Sequence, residues 1–168
     1  MFRVGIITMS DKGSKGERED KSGPMIRSII SENQLYEVIE EILIPDDQKT
    51  IEAELIRMTD MLNLDLILTT GGTGFSLRDV TPEATLAIAD RVAPGIAEAI
   101  RAYSLTITKR AMLSRGVSAI RKQTLIVNLP GSPKAVKESL EYILPELSHG
   151  IEILKGTAGE CAREEKKH

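Results

Sequence analysis

Apolar positions along this chain fall into two alternating rhythms. Short strand-like stretches recur at residues 4–9, in YEVIEEILIP, in DLILTT, whose apolar run is the mark of a buried strand, and in TLIVNL. After each run comes a segment whose apolar residues sit at helical spacing. MIRSIISEN follows the first, with Pro24 placed for a first helical turn. DDQKTIEAELIRMTDML follows the second, with Ile51, Leu55, Met58 and Leu62 on one face. A helix over residues 82–92 follows the third, and helical character continues after Pro94 in PGIAEAIRAYSL. The fourth helix starts at Pro133, carries Val136, Leu140, Ile143 and Leu144 on one face, is interrupted at Pro145 and resumes as ELSHGIEILKG. Between Ser104 and TLIVNL the period is lost, which reads as loop with short structure. Strand-helix units in series predict an α/β fold, a mostly parallel sheet with helices on both sides.

In such a sheet the strands end on one edge, and ligands bind there. The segments at those ends are SDKG, PDD, TTGGTGFSLRDVTPEAT and NLPGSP. The glycine-rich one is neither a P-loop, since no lysine follows its glycines, nor a dinucleotide fingerprint, since Leu77 stands where the third glycine belongs. What it offers is backbone able to approach a ligand at Gly71, Gly72 and Gly74, with hydroxyls from Thr69, Thr70, Thr73 and Ser76. Thr81 and Pro82 read as an N-cap and first helical residue, which puts Asp79 just before a helix with its carboxylate toward the loop mouth. A carboxylate beside a phosphate site repels it unless a divalent cation lies between, and Mg²⁺ is commonly held by one or two carboxylates plus phosphates. Asp46, Asp47 and Asp11 are further candidate carboxylates. PDD before a helix also serves as a cap.

Composition narrows the partners. The chain has 168 residues, is 41% hydrophobic and carries a formal charge of -3, which suits one globular domain and argues against nucleic acid, whose binders present a Lys/Arg-rich face. No run of apolar residues is long enough to span a membrane and no signal-peptide pattern opens the chain. A single cysteine, Cys161, and two histidines, His149 and His168, make neither an internal disulfide nor a zinc site of the usual kind. A cytoplasmic, soluble protein is expected. Of the basic residues Lys109, Arg110, Arg115, Arg121 and Lys122, Arg115 in AMLSRG stands out as able to neutralise ligand phosphates, with Ser114 to hydrogen-bond them. Met58 and Met61 read as core or helix surface.

From about residue 4 to residue 156 the chain resembles the MogA/MoaB family of molybdenum-cofactor biosynthesis proteins, and within it the adenylyltransferase branch. The resemblance is carried by SDKG with DKSGP, by IPDD, by LTTGGTGFSLRDVTPEAT, and by AMLSRG with IRKQTLIVNLPGSPKAV, in that order. It implies a three-layer α/β sandwich over residues 1–156, a charged tail at 157–168, and a homotrimer. It also implies transfer of AMP from Mg-ATP to the terminal phosphate of molybdopterin, ahead of molybdate insertion by a separate protein. On this resemblance Asp46 and Asp79 are the catalytic carboxylates, linked through Mg²⁺. Ser10, Asp11, Thr70, Gly71, Gly72, Thr73 and Gly74 bind substrate or nucleotide, Ser104, Ser114 and Arg115 line the site, and Asn128, Pro130, Gly131 and Ser132 form its opposite wall. The competing expectation is a MoaB-type protein that binds or carries molybdopterin without turnover.

Overall fold

The computed structural model describes residues 1–158; Cys161, His168 and the REEKKH end lie outside the described residues. Its elements run β1 (Phe2–Met9), α1 (Asp11–Ser14), α2 (Ser22–Ser31), β2 (Tyr36–Ile44), α3 (Gln48–Ile56), a π-helical turn (Arg57–Met61) and β3 (Leu66–Thr70). There follow α4 (Thr81–Ile88), β4 (Arg91–Val92), α5 (Pro94–Leu105), a 3-10 turn (Lys109–Leu113), β5 (Ser118–Arg121), β6 (Thr124–Leu129) and α6 (Pro133–Leu154). The strands form one sheet in the order β2-β1-β3-β6-β5-β4. The first four in that order are mutually parallel, and β5 and β4 close the far side antiparallel.

The four apolar runs became the four parallel strands; β1, β3 and β6 are buried on both faces, whereas β2 lies at the sheet edge and is only partly covered. In β1, Ile6 packs with α2, α5 and α6 while its neighbour Ile7 packs with α3 and α4, so adjacent side chains feed two separate cores. β3 and β6 are buried along their whole length. On the α3 side Ile51, Leu55 and Met58 are fully buried, as their spacing predicts, and Met61 is exposed. The register levels the carboxyl ends: Met9 pairs with Ile44, Thr8 with Thr70, and Thr70 with Leu129. SDKG, PDD, TTGGTG and NLPGSP therefore emerge side by side, as the parallel arrangement requires.

Two local expectations differ, and the aperiodic stretch holds the short structure expected of it. The helix after the glycine loop ends at Ile88 rather than continuing to residue 92: Ala89 turns extended, and Arg91 and Val92 pair with β5, helped by Asp90 N–H donating to the Ile120 carbonyl. Ala93 precedes Pro94, which disfavours helical backbone there. Within the aperiodic stretch lies β5, four residues too short to show alternation. Pro145 does not interrupt α6, which runs unbroken for 22 residues. An internal proline costs about 3 kcal/mol, but Ile143, Leu144, Leu147 and Ile151 are buried on either side of it. Each such side chain contributes about 1.5–3 kcal/mol, so burial wins.

Candidate functional site

The levelled strand ends enclose a cleft of about 680 Å³. Its floor is Thr8 and Thr70; its walls come from the α1-α2 loop (Arg18, Asp20 and Lys21) and Ser22 at the start of α2, from Asp46 after β2, from Gly71, Gly72 and Asp79 after β3, and from Gly131 and Ser132 after β6. Ser132 caps α6, its hydroxyl accepting from the Ala135 N–H (3.3 Å). The amino end of a 22-residue helix thus opens into the cleft, where its free N–H groups and dipole favour an anion.

Glycine is required at the two residues that form the lip. Gly71 has φ of +90° and a side chain there would collide with the Met9 carbonyl oxygen; Gly72 has φ of +67° and a side chain there would collide with the Thr81 hydroxyl. Thr81 lies inside α4 and does not cap it: Val80 holds the N-cap position with no side-chain bond. The buried Thr81 hydroxyl instead donates to the Gly71 carbonyl (3.0 Å), and the Thr81 N–H donates to the Gly72 carbonyl (3.1 Å). Threonine here fastens the lip to the helix rather than ending the helix.

The pair in PDD divides its labour. Asp47 caps α3, accepting from Thr50 N–H (2.9 Å) and Thr50 hydroxyl (2.7 Å). Asp46 turns to the cleft. Its Oδ2 accepts from the Asp11 N–H (2.9 Å) while Asp11 Oδ1 accepts from the Asp46 N–H (3.0 Å), a reciprocal pair joining the ends of β1 and β2. Asp79 Oδ2 accepts from the Ser76 N–H (2.9 Å). Burial raises the Asp46 carboxyl above its ordinary value, and the charges of Asp11 and Asp79 push the same way. Asp11, by contrast, is lowered by the guanidinium of Arg78. Among the described residues no three His, Cys, Asp or Glu side chains are assembled as a ready metal cage. Asp46 and Asp79, both lining the cleft, are oxygen donors of the type Mg²⁺ takes one or two of, the rest of its shell coming from ligand oxygens and water.

A second pocket of about 300 Å³ lies across the glycine loop, lined by Thr73, Gly74, Ser104, Ser114, Pro130 and Gly131, with apolar walls from Ile100, Leu113 and Ala135 and with Arg101 and Arg110 at hand. Gly131 is common to both spaces. The predicted site residues therefore split. Ser10, Asp46, Thr70, Gly71, Gly72, Asp79, Gly131 and Ser132 face the cleft; Thr73, Gly74, Ser104, Ser114 and Pro130 face the pocket.

Three of the expected residues line neither. Asp11 is engaged by Arg78 and Asp46. Asn128, 3% exposed, spends its amide on Thr69 (2.9 Å), Thr85 (3.0 Å) and the Val117 N–H (3.1 Å), which locks β6 to β3 and α4 behind the wall. Arg115 donates to the carbonyls of Gly74 and Asp79 (both 2.7 Å) and pairs with Glu83, so it braces the glycine loop from outside. Conversely, Asp20 enters the site unanticipated. It accepts from Thr8 hydroxyl (2.8 Å) and from Ser22 N–H (2.9 Å) and Gly23 N–H (3.1 Å), anchoring the start of α2 to the cleft floor. An Asp two residues before Ser-Gly-Pro is a helix-start signal that could have placed it.

Comparison with known proteins places the chain in a family. Residues 5–149 match a family described as a probable molybdopterin-binding domain. A molybdopterin adenylyltransferase of Escherichia coli K12 is 48% identical over 144 residues, covering 84% of this chain and 73% of that protein. One from Helicobacter pylori J99 is 40% identical over 161 residues, covering 92% and 89%. The crystal structure of the molybdopterin biosynthesis enzyme MoaB from Thermus thermophilus superposes with a TM-score of 0.88 at 49% identity, covering 93% of this chain and 98% of that one.

Proposed function

Because the chain belongs to the molybdopterin-binding family of molybdenum-cofactor biosynthesis, we propose that it is a molybdopterin adenylyltransferase, moving AMP from Mg-ATP onto the terminal phosphate of molybdopterin. The observation that carries this reading is the cleft itself, lined by Asp46 and Asp79, by the backbone of Gly71, Gly72 and Gly131, and by the amino end of α6. An oxygen of the pterin phosphate attacks the α-phosphorus of ATP; a new P–O–P bond forms, the bond to the β-phosphate oxygen breaks, and pyrophosphate leaves with its electron pair. The nucleophile is already an anion, so no serine, cysteine or histidine base is needed.

The protein's task is alignment and charge balance. The glycine loop presents N–H groups to phosphate oxygens without side chains in the way, and the helix end adds a partial positive charge. Asp46 and Asp79 would hold Mg²⁺, which when bound neutralises charge on the nucleotide phosphates. The pocket across the loop, apolar on its walls and rimmed by hydroxyls and arginines, offers room for a heterocycle joined to the cleft through Gly131. Homotrimeric assembly, a cytoplasmic setting, and delivery of the product to a molybdate-inserting protein complete this reading and rest on the family resemblance. So does the division into a catalytic domain at residues 1–156 and a tail.

The test is pyrophosphate release by the purified protein with molybdopterin and Mg-ATP, with the adenylylated pterin identified by mass. Release that depends on the pterin supports the transferase. Tight pterin binding with no release would establish instead the carrier reading.

A further inference from the structure

Asp79 lines the cleft, whereas its neighbour Arg78 reaches away to the end of β1. The Arg78 guanidinium grips Asp11 with both prongs, Nε to Oδ2 (2.9 Å) and Nη2 to Oδ1 (3.0 Å), across 67 residues of sequence. Asp11 Oδ1 also accepts from the Asp46 N–H, and Asp46 Oδ2 from the Asp11 N–H. These bonds form a chain from guanidinium to Asp11 to Asp46. Asp46 Oδ1 is left turned toward Gly72, 3.2 Å from where a Cβ on that glycine would stand.

We propose that Arg78 is a positioning residue: by holding both oxygens of Asp11 it keeps that carboxylate out of the cleft and steadies the reciprocal backbone bonds that aim Asp46 at the phosphates and their cation. The same bridge ties the loop bearing Asp79 to the strand end bearing Asp46, so one arginine sets the separation of Asp46 and Asp79. The planar fork is what the job needs. A lysine keeps the charge but makes no two-pronged grip, and a glutamine keeps neither. Folding of the loop does not hang on Arg78, because Arg115 braces it independently through Gly74 and Asp79, and the Arg78 side chain is 62% exposed.

This inference rests on the adenylyltransferase reading for its kinetic arm only. In the metal-free, nucleotide-free protein, Arg78→Gln should speed hydrogen exchange at the Asp11 and Asp46 amides by roughly tenfold, as expected for loss of one charge-assisted bridge, with the melting temperature unchanged. In turnover, Arg78→Gln and Arg78→Lys should both lower kcat by about tenfold, the scale of a small misplacement of a reacting group, with the KM for pterin unchanged. The double variant Arg78→Gln with Asp11→Ala should be no worse than Asp11→Ala alone, because the two act in series. Unaltered exchange at both amides would overturn the proposal. So would losses that multiply in the double variant together with a raised KM for ATP, which would place Arg78 on the nucleotide itself. If the wild type shows no turnover at all, the proposed function fails and the exchange result still judges the bridge.

Discussion

Where the parallel strands begin, Asp60 and Asp65 are neutralised by cations; where the same strands end, Asp46 and Asp79 face a cleft without one. At the first edge Asp65 is 5% exposed and takes Lys155 Nζ and the Arg3 N–H. Nearby, Asp60 is clasped by Arg121 (Nε to Oδ1 3.0 Å, Nη2 to Oδ2 2.7 Å) with Lys122 at 3.1 Å, and the guanidinium holds its carboxyl well below the usual range. At the other edge Asp46 and Asp79 have no ion-pair partner among the described residues, and Asp46 is raised by burial and by its acidic neighbours. The same residue type is thus used in two ways. Paired carboxylates fasten elements to one another; unpaired ones in a cleft cost stability and leave a charge for a ligand to satisfy.

The largest effect expected of this contrast is catalytic. Asp79→Asn should reduce turnover by about a hundredfold or more while pterin binding, followed by titration, stays near wild type, the pattern for an interaction made in the transition state. Equal loss of both would put Asp79 on the pterin instead. The opposite edge should respond in stability alone. Asp65→Ala strands Lys155 and the Arg3 N–H, and denaturant unfolding should show a loss of about 2–3 kcal/mol, with the rate per folded molecule retained. A fall in that rate would blur the division.

How much of this was legible beforehand follows from the range over which each signal acts. DLILTT and TLIVNL announce themselves because strands buried on both faces need only local apolarity, and the convergence of four strand ends follows from parallel order. Pro145 misleads because a local breaker is overridden by burial of Leu144 and Leu147 against elements far away in sequence. The roles of Arg115 and Asn128 were beyond reach for a related reason. Arg115 has the composition of a phosphate ligand, and only its distance to Gly74, 41 residues off, reveals a brace; Asn128 likewise meets Thr69 and Thr85 only once the sheet has formed. Arg78 carries no pattern at all, since its meaning lies in Asp11.

A smaller effect sharpens the glycine-loop side of the comparison. Thr81→Val removes the bond to the Gly71 carbonyl and should cost about 1 kcal/mol in unfolding. Because the bond fastens the lip rather than the helix end, helix content by circular dichroism should not change.

The smallest expected effect is in the pH dependence of stability, where the two aspartates carry opposite signs. Asp60 is lowered in the folded state, so its contribution is present above the ordinary carboxylate value of 3.8 and fades as pH falls toward the lowered value. Asp46 is raised, so the folded state favours its proton; that contribution is present below 3.8 and is lost as pH rises through the raised value. Unfolding free energies taken from about pH 3 to pH 7 should therefore show Asp60→Asn approaching wild type on acidification. Asp46→Asn should gain on wild type as the pH rises from the acid end.

The most direct measurement takes turnover and unfolding free energy on the same preparations of Asp46→Asn and Asp60→Asn. The account predicts that Asp46→Asn loses pterin-dependent pyrophosphate release while staying as stable as wild type or becoming more so, and that Asp60→Asn loses stability while keeping its rate per folded molecule. An Asp46→Asn protein that releases pyrophosphate at the wild-type rate, or that unfolds as readily as Asp60→Asn, would contradict it.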